Sequence, residues 1–558
     1  MTERATIIGL FAERVAEAPR RPALMERSGE RWAEHSWSDW NERSRAIAAA
    51  LIDAGVKPGD SVAIHSYSRR QWVEVDIAIL MCKARTVTIY HNLRAESVRY
   101  ILDDCGARIV FAEGPVQLEA LFSAQGSEPA GSVRRVIHTL ERQTPPARPG
   151  EPPPRELGIE DAVPAERREL LVSLEDFVAR GREALEEHGE ELERRIAAVE
   201  PGDTAKVVYT SGTTGEPKGA MLTHRNLTSV VERIGEDIGI RSDDLCLLFL
   251  PLAHVYAQLT YHAALCCGFT LAFARSMLTA VDDAESVRPH FFTTVPRLFE
   301  KIHAGMLAQI EQASPVRRGI FGWAEKVGRR VSREKQLGRG PSGLLAWQYA
   351  LADRLVFSKL KQRLGGRIRF AVSGGAPLQR HLLEFFHAAG LLIIEGYGMT
   401  ENASLSHRNT PEAYRFGTVG TALSNVEVEI AADGEILLRG PNVMDGYLGR
   451  PEETAEAIDG QGWLHTGDIG FIDENGFLTI TDRKKDIIIT AGGKNIAPAP
   501  IEAALTRGQL ISQAVVFGDQ RKFLVALLTL DAERAEQWAR ENGVGARGEE
   551  LCEDERLR

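Results

Sequence analysis

The chain has 558 residues, which is too long for one hydrophobic core and predicts at least two domains. Its hydrophobic content of 44% and charged content of 26% are typical of a globular protein, and its net charge of −11 argues against a general nucleic-acid binder. Six cysteines without Cys-x-x-Cys spacing favour reduced thiols and a cytoplasmic protein over a disulfide framework.

The first 125 residues alternate helical and strand-like patterns. The apolar runs Ser61–His65 and Arg108–Ala112 predict strands, and such alternation favours a largely parallel, helix-covered sheet. The proline-rich stretch 143–165 predicts a surface linker, and a charged helix is expected over 170–199. The first residues lack the basic start and apolar core of a signal peptide.

The segment Tyr209–Gly219 predicts a phosphate-binding loop. It follows the apolar run 205–209, which predicts a strand, and it carries three hydroxyls, three glycines and one lysine within nine positions. Glycines allow backbone N–H groups to turn toward an anion, and Lys218 supplies a mobile positive charge. The spacing differs from that of the common P-loop. The loop residues expected to contact a polyphosphate are Thr210, Ser211, Gly212, Thr213, Thr214 and Gly215.

The stretch 245–274 contains no Asp, Glu, Lys or Arg and is long enough to span a bilayer. Pro251, His254 and Gly268 interrupt it, and charged residues lie close to both of its ends. We therefore predict a buried strand, a loop and a core helix here, and we expect this stretch to supply the walls of an apolar pocket.

The segment 317–363 is locally basic, with twelve Lys or Arg residues against three acids, and it contains interspersed aromatic and aliphatic residues such as Trp323 and Trp347. Two interpretations fit this pattern. It predicts a patch for peripheral contact with an anionic membrane surface, or else solvated helices packed on the core, which is the commoner outcome for such charge.

Further segments, in chain order, resemble motifs of the adenylate-forming enzymes, which include acyl-CoA synthetases, luciferases and peptide-synthetase adenylation domains. Tyr209–Gly219 resembles the phosphate-binding signature of that superfamily. The other segments that carry the resemblance are Leu250–Tyr256, Ser373–Pro377, Glu395–Glu401, Thr466–Asp468, Asp482–Asp486 and Gly492–Asn495.

The resemblance implies a role for each matching residue. His254 would approach the substrate carboxylate, Thr400 would bond the α-phosphate, and Glu401 would hold Mg²⁺. Lys485 would be the pivot of an interdomain hinge. The residues expected around adenine and ribose are Gly374, Gly375, Ala376, Glu395, Gly396, Tyr397, Gly398, Asp468 and Arg483, and those expected to face the thiol acceptor are Gly492, Gly493 and Lys494.

The resemblance also implies an α/β fold. A large N-terminal domain of helix-covered, mostly parallel sheets with a small barrel-like subdomain is expected over residues 1–484. A small α+β C-terminal domain is expected over 485–558. ATP, Mg²⁺ and CoA would be required, and a carboxylate would attack the α-phosphorus of ATP to give an acyl-adenylate before a thiol displaces AMP.

Three segments favour a medium- or long-chain aliphatic acid as substrate. Thr293–Ile302, Leu364–Arg369 and Gly492–Pro498 are similar to segments of long-chain fatty acyl-CoA synthetases. Two alternatives stay open: a fatty acyl-AMP ligase that loads a carrier protein, and a protein that binds nucleotide or fatty acid without turnover.

One departure separates the sequence from the pattern of the superfamily. The C-terminal domain of that superfamily continues to a lysine that bonds the substrate carboxylate and the α-phosphate, and this chain has only Lys522 after Lys494. Either the given sequence ends before that lysine or the protein lacks it.

Overall fold

The structure is a computed structural model that describes residues 6–122, 133–143, 155–210, 216–489, 495–496, 498–506, 510–545 and 548–553. The chain forms two compact units: the first comprises residues 1–427 and 438–464, and the second comprises 428–437 and 465–558. The predicted domain boundary after residue 484 stays a prediction.

The strands of the described residues are, in chain order, β1 (Pro22–Ser28), β2 (Arg31–Ser36), β3 (Ser61–His65), β4 (Arg85–Ile89), β5 (Ile109–Ala112), β6 (Arg135–His138), β7 (Arg142–Gln143), β8 (Leu157–Gly158), β9 (Leu171–Ser173), β10 (Thr204–Thr210), β11 (Lys218–Thr223), β12 (Leu245–Leu248), β13 (Thr270–Phe273), β14 (Phe291–Thr294), β15 (Phe370–Ser373), β16 (Leu392–Tyr397), β17 (His407–Arg408), β18 (Thr421–Ala422), β19 (Glu427–Ile430), β20 (Glu435–Arg439), β21 (Gly446–Tyr447), β22 (Leu464–Ile472), β23 (Leu478–Arg483), β24 (Ile488–Ile489), β25 (Asn495–Ile496), β26 (Ile511–Phe517) and β27 (Val525–Leu530).

The α-helices of the same residues are α1 (Ile7–Glu17), α2 (Trp37–Asp53), α3 (Arg70–Met81), α4 (Ala95–Cys105), α5 (Pro115–Phe122), α6 (Ile159–Ala162), α7 (Leu174–Ala197), α8 (His224–Asp237), α9 (Val255–Cys267), α10 (Ala280–Val287), α11 (Pro296–Glu311), α12 (Pro315–Gln336), α13 (Gly343–Ala352), α14 (Ser358–Arg363), α15 (Arg380–Ala388), α16 (Pro451–Ala457), α17 (Pro498–Leu505) and α18 (Ala532–Glu541).

Two large sheets form the first unit. One has the strand order β18-β17-β16-β15-β14-β12-β13-β1-β2, and its strands from β16 to β1 are parallel. The other has the order β21-β11-β10-β4-β3-β5-β6-β9 and is parallel from β10 to β9. Helices connect most of the parallel strands, as right-handed crossovers require. The predicted fold class of helix-covered, mostly parallel sheets is confirmed.

The uncharged stretch 245–274 forms β12, α9 and β13 inside this fold. Every residue of β12 is buried, and α9 is buried along nearly its whole length. Gly268 ends α9 with a φ of +77°, a left-handed conformation that favours glycine. The stretch is therefore core, as predicted, and no helix among the described residues is both long and apolar enough to cross a bilayer.

A buried ion pair links strand β10 to helix α3. The Lys206 ammonium on β10 bonds the Asp76 carboxylate on α3, and both side chains are fully buried. Asp76 also accepts hydrogen bonds from Tyr261 on α9 and Thr86 on β4, each at 2.7 Å. Because a buried charge is tolerated only when its hydrogen-bonding capacity is met, this network fixes β10 just before the predicted phosphate loop.

The second unit contains most residues of the four-stranded sheet β19-β20-β22-β23 and the antiparallel pairs β24–β25 and β26–β27. Strands β22 and β23 are antiparallel, and Asp468 and Arg483 are partners in their register. The fold thus places two predicted ribose-binding residues, Asp468 and Arg483, opposite each other on neighbouring strands.

Candidate active site

The antiparallel pair β10–β11 holds both ends of the predicted phosphate loop. Thr210 ends β10, Lys218 begins β11, and the two residues are register partners. The predicted residues Ser211, Gly212, Thr213, Thr214 and Gly215 lie outside the described residues. The half-buried Lys218 extends its ammonium over the ring of Tyr447, with Nζ 5.3 Å from the ring centroid.

His254 is the N-cap residue of α9. Its Nδ1 accepts a hydrogen bond from the backbone N–H of Tyr256 at 3.1 Å, and burial lowers the pKa of the imidazole. Since Nδ1 is an acceptor, the neutral ring carries its proton on Nε2. The ring packs edge-on against Tyr90, with the centroids 6.3 Å apart. His254 is therefore a neutral hydrogen-bond donor that suits a carboxylate or acyl oxygen.

The predicted adenine loop begins where β15 ends. The hydroxyl of Tyr256 donates to the carbonyls of Thr294 at 3.3 Å and Val372 at 3.2 Å, which places its ring beside the loop. A Cβ on Gly374 would lie 3.2 Å from this ring, and Gly375 has a φ of +78°. The loop therefore allows close approach to its backbone, as a flat ligand requires.

Glu395 lies on β16 and is buried. Its Oε1 accepts a hydrogen bond from the backbone N–H of Leu378 at 3.0 Å, and burial, which outweighs that bond, raises the pKa of the carboxyl to about 7. Near neutral pH the Glu395 side chain is thus a mixture of the protonated and the ionised form. It can either donate to or accept from a polar ligand.

This raised pKa predicts a pH-dependent stability. A carboxyl with a pKa of 4.5 when unfolded and about 7 when folded contributes stability that is fully present below pH 4.5 and lost as the pH rises through 7. We expect this loss to be about 3 kcal/mol in the wild type and absent in Glu395→Gln. Urea unfolding of both proteins between pH 5 and 8 measures it; parallel pH profiles would contradict the assignment.

The segment that follows Glu395 turns sharply. A Cβ on Gly398 would lie 2.1 Å from the carbonyl oxygen of Ser404, so only glycine fits there. Tyr397 is buried, with its ring centroid 6.1 Å from that of His407. Thr400 then begins a short 3₁₀-helix, Thr400–Asn402, in which it is half-buried.

Glu401 in this 3₁₀-helix is held by two hydrogen bonds. Tyr447 donates its hydroxyl to Glu401 Oε1 at 2.8 Å, and the backbone N–H of Met444 donates to the Glu401 carbonyl at 2.8 Å. The residue is 8% exposed. Mg²⁺ prefers hard oxygen ligands and is often bound through one or two carboxylates together with substrate phosphates. A single anchored carboxylate with a second oxygen for the metal fits that requirement.

One cavity joins several of these groups within the first unit. At its polar part lie His254, Gly374, Gly375, Glu395, Gly396 and Gly398. Its apolar walls are Ile234, Ile238, Ile240, Val255, Leu259, Ala263, Phe269 and Phe291. Val255, Leu259, Ala263 and Phe269 come from the uncharged stretch 245–274, which the sequence predicted as pocket wall.

The cavity also includes residues that the sequence analysis missed. Ile234, Ile238 and Ile240 come from the end of α8 and the residues after it. An apolar stripe at Val230, Ile234 and Ile238 is the signal that could have found this wall, but such a stripe predicts core in general. Tyr447 was missed because a tyrosine on a two-residue strand carries no sequence signal.

The second unit holds the predicted ribose-binding pair. Arg483 Nε lies 3.3 Å from Asp468 Oδ1, with Asp468 buried and Arg483 largely exposed. Thr466 supports the turn by donating its hydroxyl to the carbonyl of Ile436 at 2.7 Å and accepting from the Asp468 N–H at 3.1 Å. A buried carboxylate beside an exposed cation is suited to bind a diol.

Two exposed lysines, Lys484 and Lys485, follow Arg483. Lys484 bonds Glu435 Oε2 at 2.9 Å and Asp433 Oδ2 at 2.7 Å. Glu435 also accepts from the Gly467 N–H at 2.9 Å, and these partners hold its pKa below the ordinary value although burial opposes them. The predicted acceptor residues Gly492, Gly493 and Lys494 lie outside the described residues, and Ala376 is exposed.

Comparison with known protein families gives two matches. The model of the AMP-binding enzyme family matches residues 11–448, and that of the AMP-binding enzyme C-terminal domain matches residues 485–546. Long-chain-fatty-acid–CoA ligase FadD15 of Mycobacterium bovis is 38% identical over 524 residues, covering 92% of this chain and 80% of the relative. Long-chain-fatty-acid–CoA ligase 1 of Cavia porcellus is 31% identical over 568 residues, covering 98% of this chain and 77% of the relative.

Solved structures show the same fold at lower identity. The Mycobacterium tuberculosis fatty acyl CoA synthetase aligns with a TM-score of 0.63 and 21% identity, covering 98% of this chain and 93% of that one. The adenylation domain of a carboxylate reductase from Mycobacterium chelonae aligns with a TM-score of 0.71 and 22% identity, covering 96% of this chain and 81% of that one.

Proposed function

The chain belongs to the AMP-binding enzyme family, and we propose that it converts a medium- or long-chain fatty acid into acyl-CoA through an acyl-adenylate. It is an ATP-dependent acid–thiol ligase, like the fatty-acid–CoA ligases that match it over most of their length. The observation that carries the proposal is the cavity that joins apolar walls to His254 and to the loop at Gly374 and Gly375.

In the first half-reaction the fatty acid carboxylate attacks the α-phosphorus of ATP, and pyrophosphate leaves. A carboxylate is already ionised at neutral pH, so this step needs alignment and charge neutralisation rather than a general base. Nε2–H of His254 donates to the carboxylate, Lys218 faces the phosphates, and Thr400 bonds the α-phosphate. When bound through Glu401, Mg²⁺ supplies further charge neutralisation.

In the second half-reaction a thiol of CoA displaces AMP from the acyl carbon. The thiolate attacks the carbonyl, the C–O bond to AMP breaks, and the thiol proton is lost on ionisation; free thiols have a pKa near ~8.5, so a fraction is ionised at pH 7. We assign Asp468 and Arg483 to the ribose and Lys485 to the hinge. Gly492, Gly493 and Lys494 are assigned to the acceptor side.

The apolar walls set the acyl chain length that the cavity accepts. Ala263 on α9 is 4% exposed and lines the cavity, so Ala263→Phe adds a ring to this space. We expect at least about a tenfold loss of kcat/KM for the longest acids and little loss for the shortest, because each misfitting methylene weakens transition-state binding. Leu259→Ala should shift the profile toward longer acids. Equal loss across all lengths would contradict this wall assignment.

We also propose that α12 to α14 contact an anionic membrane surface. Phe321 is buried and Trp323 packs against a buried cluster that includes Ala324 and Val327, so part of this segment is core, as the second interpretation of the sequence required. Leu344 and Trp347 on α13, in contrast, are 70% and 64% exposed. Exposed apolar side chains within a basic segment suit an interface that attracts anionic lipid and admits aromatic rings.

Vesicle binding tests this surface. We expect the double variant Leu344→Ser/Trp347→Ser to bind phosphatidylserine vesicles at least about tenfold more weakly, because two apolar side chains are no longer transferred from water into the membrane interface. Phe471→Ser, which removes an exposed aromatic of the second unit, is the matched control and should bind as the wild type does. If co-sedimentation with vesicles is equal for all three proteins, the segment makes no membrane contact.

Product analysis by mass spectrometry tests the proposed reaction. The chain is incubated with ATP, Mg²⁺, CoA and a series of saturated fatty acids from short to long. Acyl-CoA, AMP and pyrophosphate over one range of chain lengths are the expected result. Acyl-AMP without acyl-CoA would instead indicate a ligase that loads a carrier protein, and bound nucleotide without pyrophosphate would indicate a binding protein.

A further inference from the structure

Tyr447 is held in a fixed place by the strands around it. It lies on β21, which pairs with β11, and Ala220 is its register partner. Its backbone N–H donates to Thr454 Oγ1 at 2.9 Å, and the next residue, Leu448, donates to the carbonyl of Gly219 at 2.8 Å. The backbone on both sides of the phenol is therefore tied to neighbouring elements of the first unit.

The side chain of Tyr447 reaches two groups to which the proposed function gives separate tasks. Its hydroxyl donates to Glu401 Oε1 at 2.8 Å. Its ring lies beneath the Lys218 ammonium, 5.3 Å from Nζ, which is within the range of a cation–π contact. One residue therefore connects the proposed metal ligand with the proposed phosphate-binding lysine.

These contacts have different consequences for ATP. A hydrogen bond to one oxygen of a metal-binding carboxylate fixes the rotamer and leaves the other oxygen for the metal, and such outer partners commonly alter metal affinity by 10- to 100-fold. A ring face under an ammonium limits where that charge can lie, because the attraction depends on the cation staying over the ring.

We propose that Tyr447 is a positioning residue for the ATP–Mg²⁺ complex: its hydroxyl orients Glu401 toward the metal, and its ring holds Lys218 beside the phosphates. The inference rests on the proposed roles of Glu401 and Lys218. It predicts that the two functions separate, since Tyr447→Phe removes the hydroxyl and keeps the ring, whereas Tyr447→Leu removes both.

The test is direct Mn²⁺ binding, measured by the electron paramagnetic resonance of free Mn²⁺ with the full chain and α,β-methylene-ATP. For Tyr447→Phe we expect the dissociation constant of Mn²⁺ to rise about tenfold. In turnover, the Mg²⁺ concentration for half-maximal pyrophosphate release should rise similarly, while the maximal rate recovers at saturating Mg²⁺. Tyr447→Leu should in addition weaken metal-free binding of α,β-methylene-ATP about threefold.

Tyr414→Phe is the matched control. It removes a tyrosine hydroxyl that bonds His387 Nε2 at 3.0 Å and that has no part in the proposed site. Its Mn²⁺ affinity should stay within about twofold of the wild type. If Tyr447→Phe binds Mn²⁺ as tightly as Tyr414→Phe while Glu401→Ala binds it more weakly, Tyr447 does not position the metal ligand. If Glu401→Ala also binds normally, the metal assignment itself fails, and this inference fails with it.

Discussion

Replacement of Glu401 by alanine is expected to lower Mg²⁺-dependent pyrophosphate release by about a thousandfold. The carboxylate is the one hard anionic ligand that we assign to the metal, and metal neutralisation of the phosphates contributes several kcal/mol to the transition state. Each 1.36 kcal/mol corresponds to a factor of ten in rate. The measurement is initial pyrophosphate release over a range of Mg²⁺ concentrations, and we expect no recovery at high Mg²⁺.

Two controls separate lost catalysis from lost folding. Glu401→Ala leaves the Tyr447 hydroxyl without this acceptor, which costs about 1–3 kcal/mol of stability, so thermal unfolding is measured in parallel. Glu427→Ala removes an exposed carboxylate that pairs with Arg439 in the same unit and should turn over as the wild type does. Wild-type turnover by a folded Glu401→Ala protein would remove Glu401 from the metal site.

Replacement of Asp468 by alanine is expected to lower kcat/KM for ATP by about a hundredfold or more. Asp468 is buried, and in the ribose-binding role that we propose its carboxylate would accept charge-assisted hydrogen bonds from two ribose hydroxyls, each worth about 1.5–3 kcal/mol. Asp468→Asn keeps the shape and one acceptor, so we expect a loss of about tenfold. Steady-state kinetics with varied ATP gives these values.

The control for Asp468 lies in the same hairpin. Asp473→Asn alters a turn carboxylate that accepts from the N–H groups of Asn475 and Phe477, and it should leave the kinetics for ATP within about twofold of the wild type. The ion pair between Asp468 and Arg483 contributes little to folding by itself, because Arg483 is 66% exposed. An unchanged KM and kcat in Asp468→Ala would refute the ribose assignment.

The order of the secondary structure could be predicted because each signal is local. The apolar run 205–209 became β10, and the strand predicted over Ser61–His65 became β3 with the same bounds. The strand predicted at Arg108–Ala112 begins one residue later, and the helix expected over 170–199 spans Leu174–Ala197. These differences occur at element ends, where capping by Ser173 rather than hydrophobic periodicity sets the first turn.

The pocket could be predicted only in part. Leu259 and Ala263 belong to a stretch whose lack of charge marks it as buried, whereas the α8 residues Ile234 and Ile238 look like any amphipathic core stripe. The basic segment 317–363 similarly contains both buried and exposed apolar residues. Its aromatic residues Trp323 and Trp347 are alike in sequence, and only the packing of α12 and α13 makes one half-buried and the other exposed.

The sequence by itself determined the family and the α/β class, and it predicts the residues for phosphate, metal and ribose, because these depend on short ordered motifs. Tertiary structure alone decided three things: that one cavity joins His254 to Phe291, that Glu395 has a raised pKa, and that Tyr447 connects Glu401 with Lys218. Each depends on residues far apart in the chain. Burial and distance between such residues arise only when strands of distant sequence pair and exclude water.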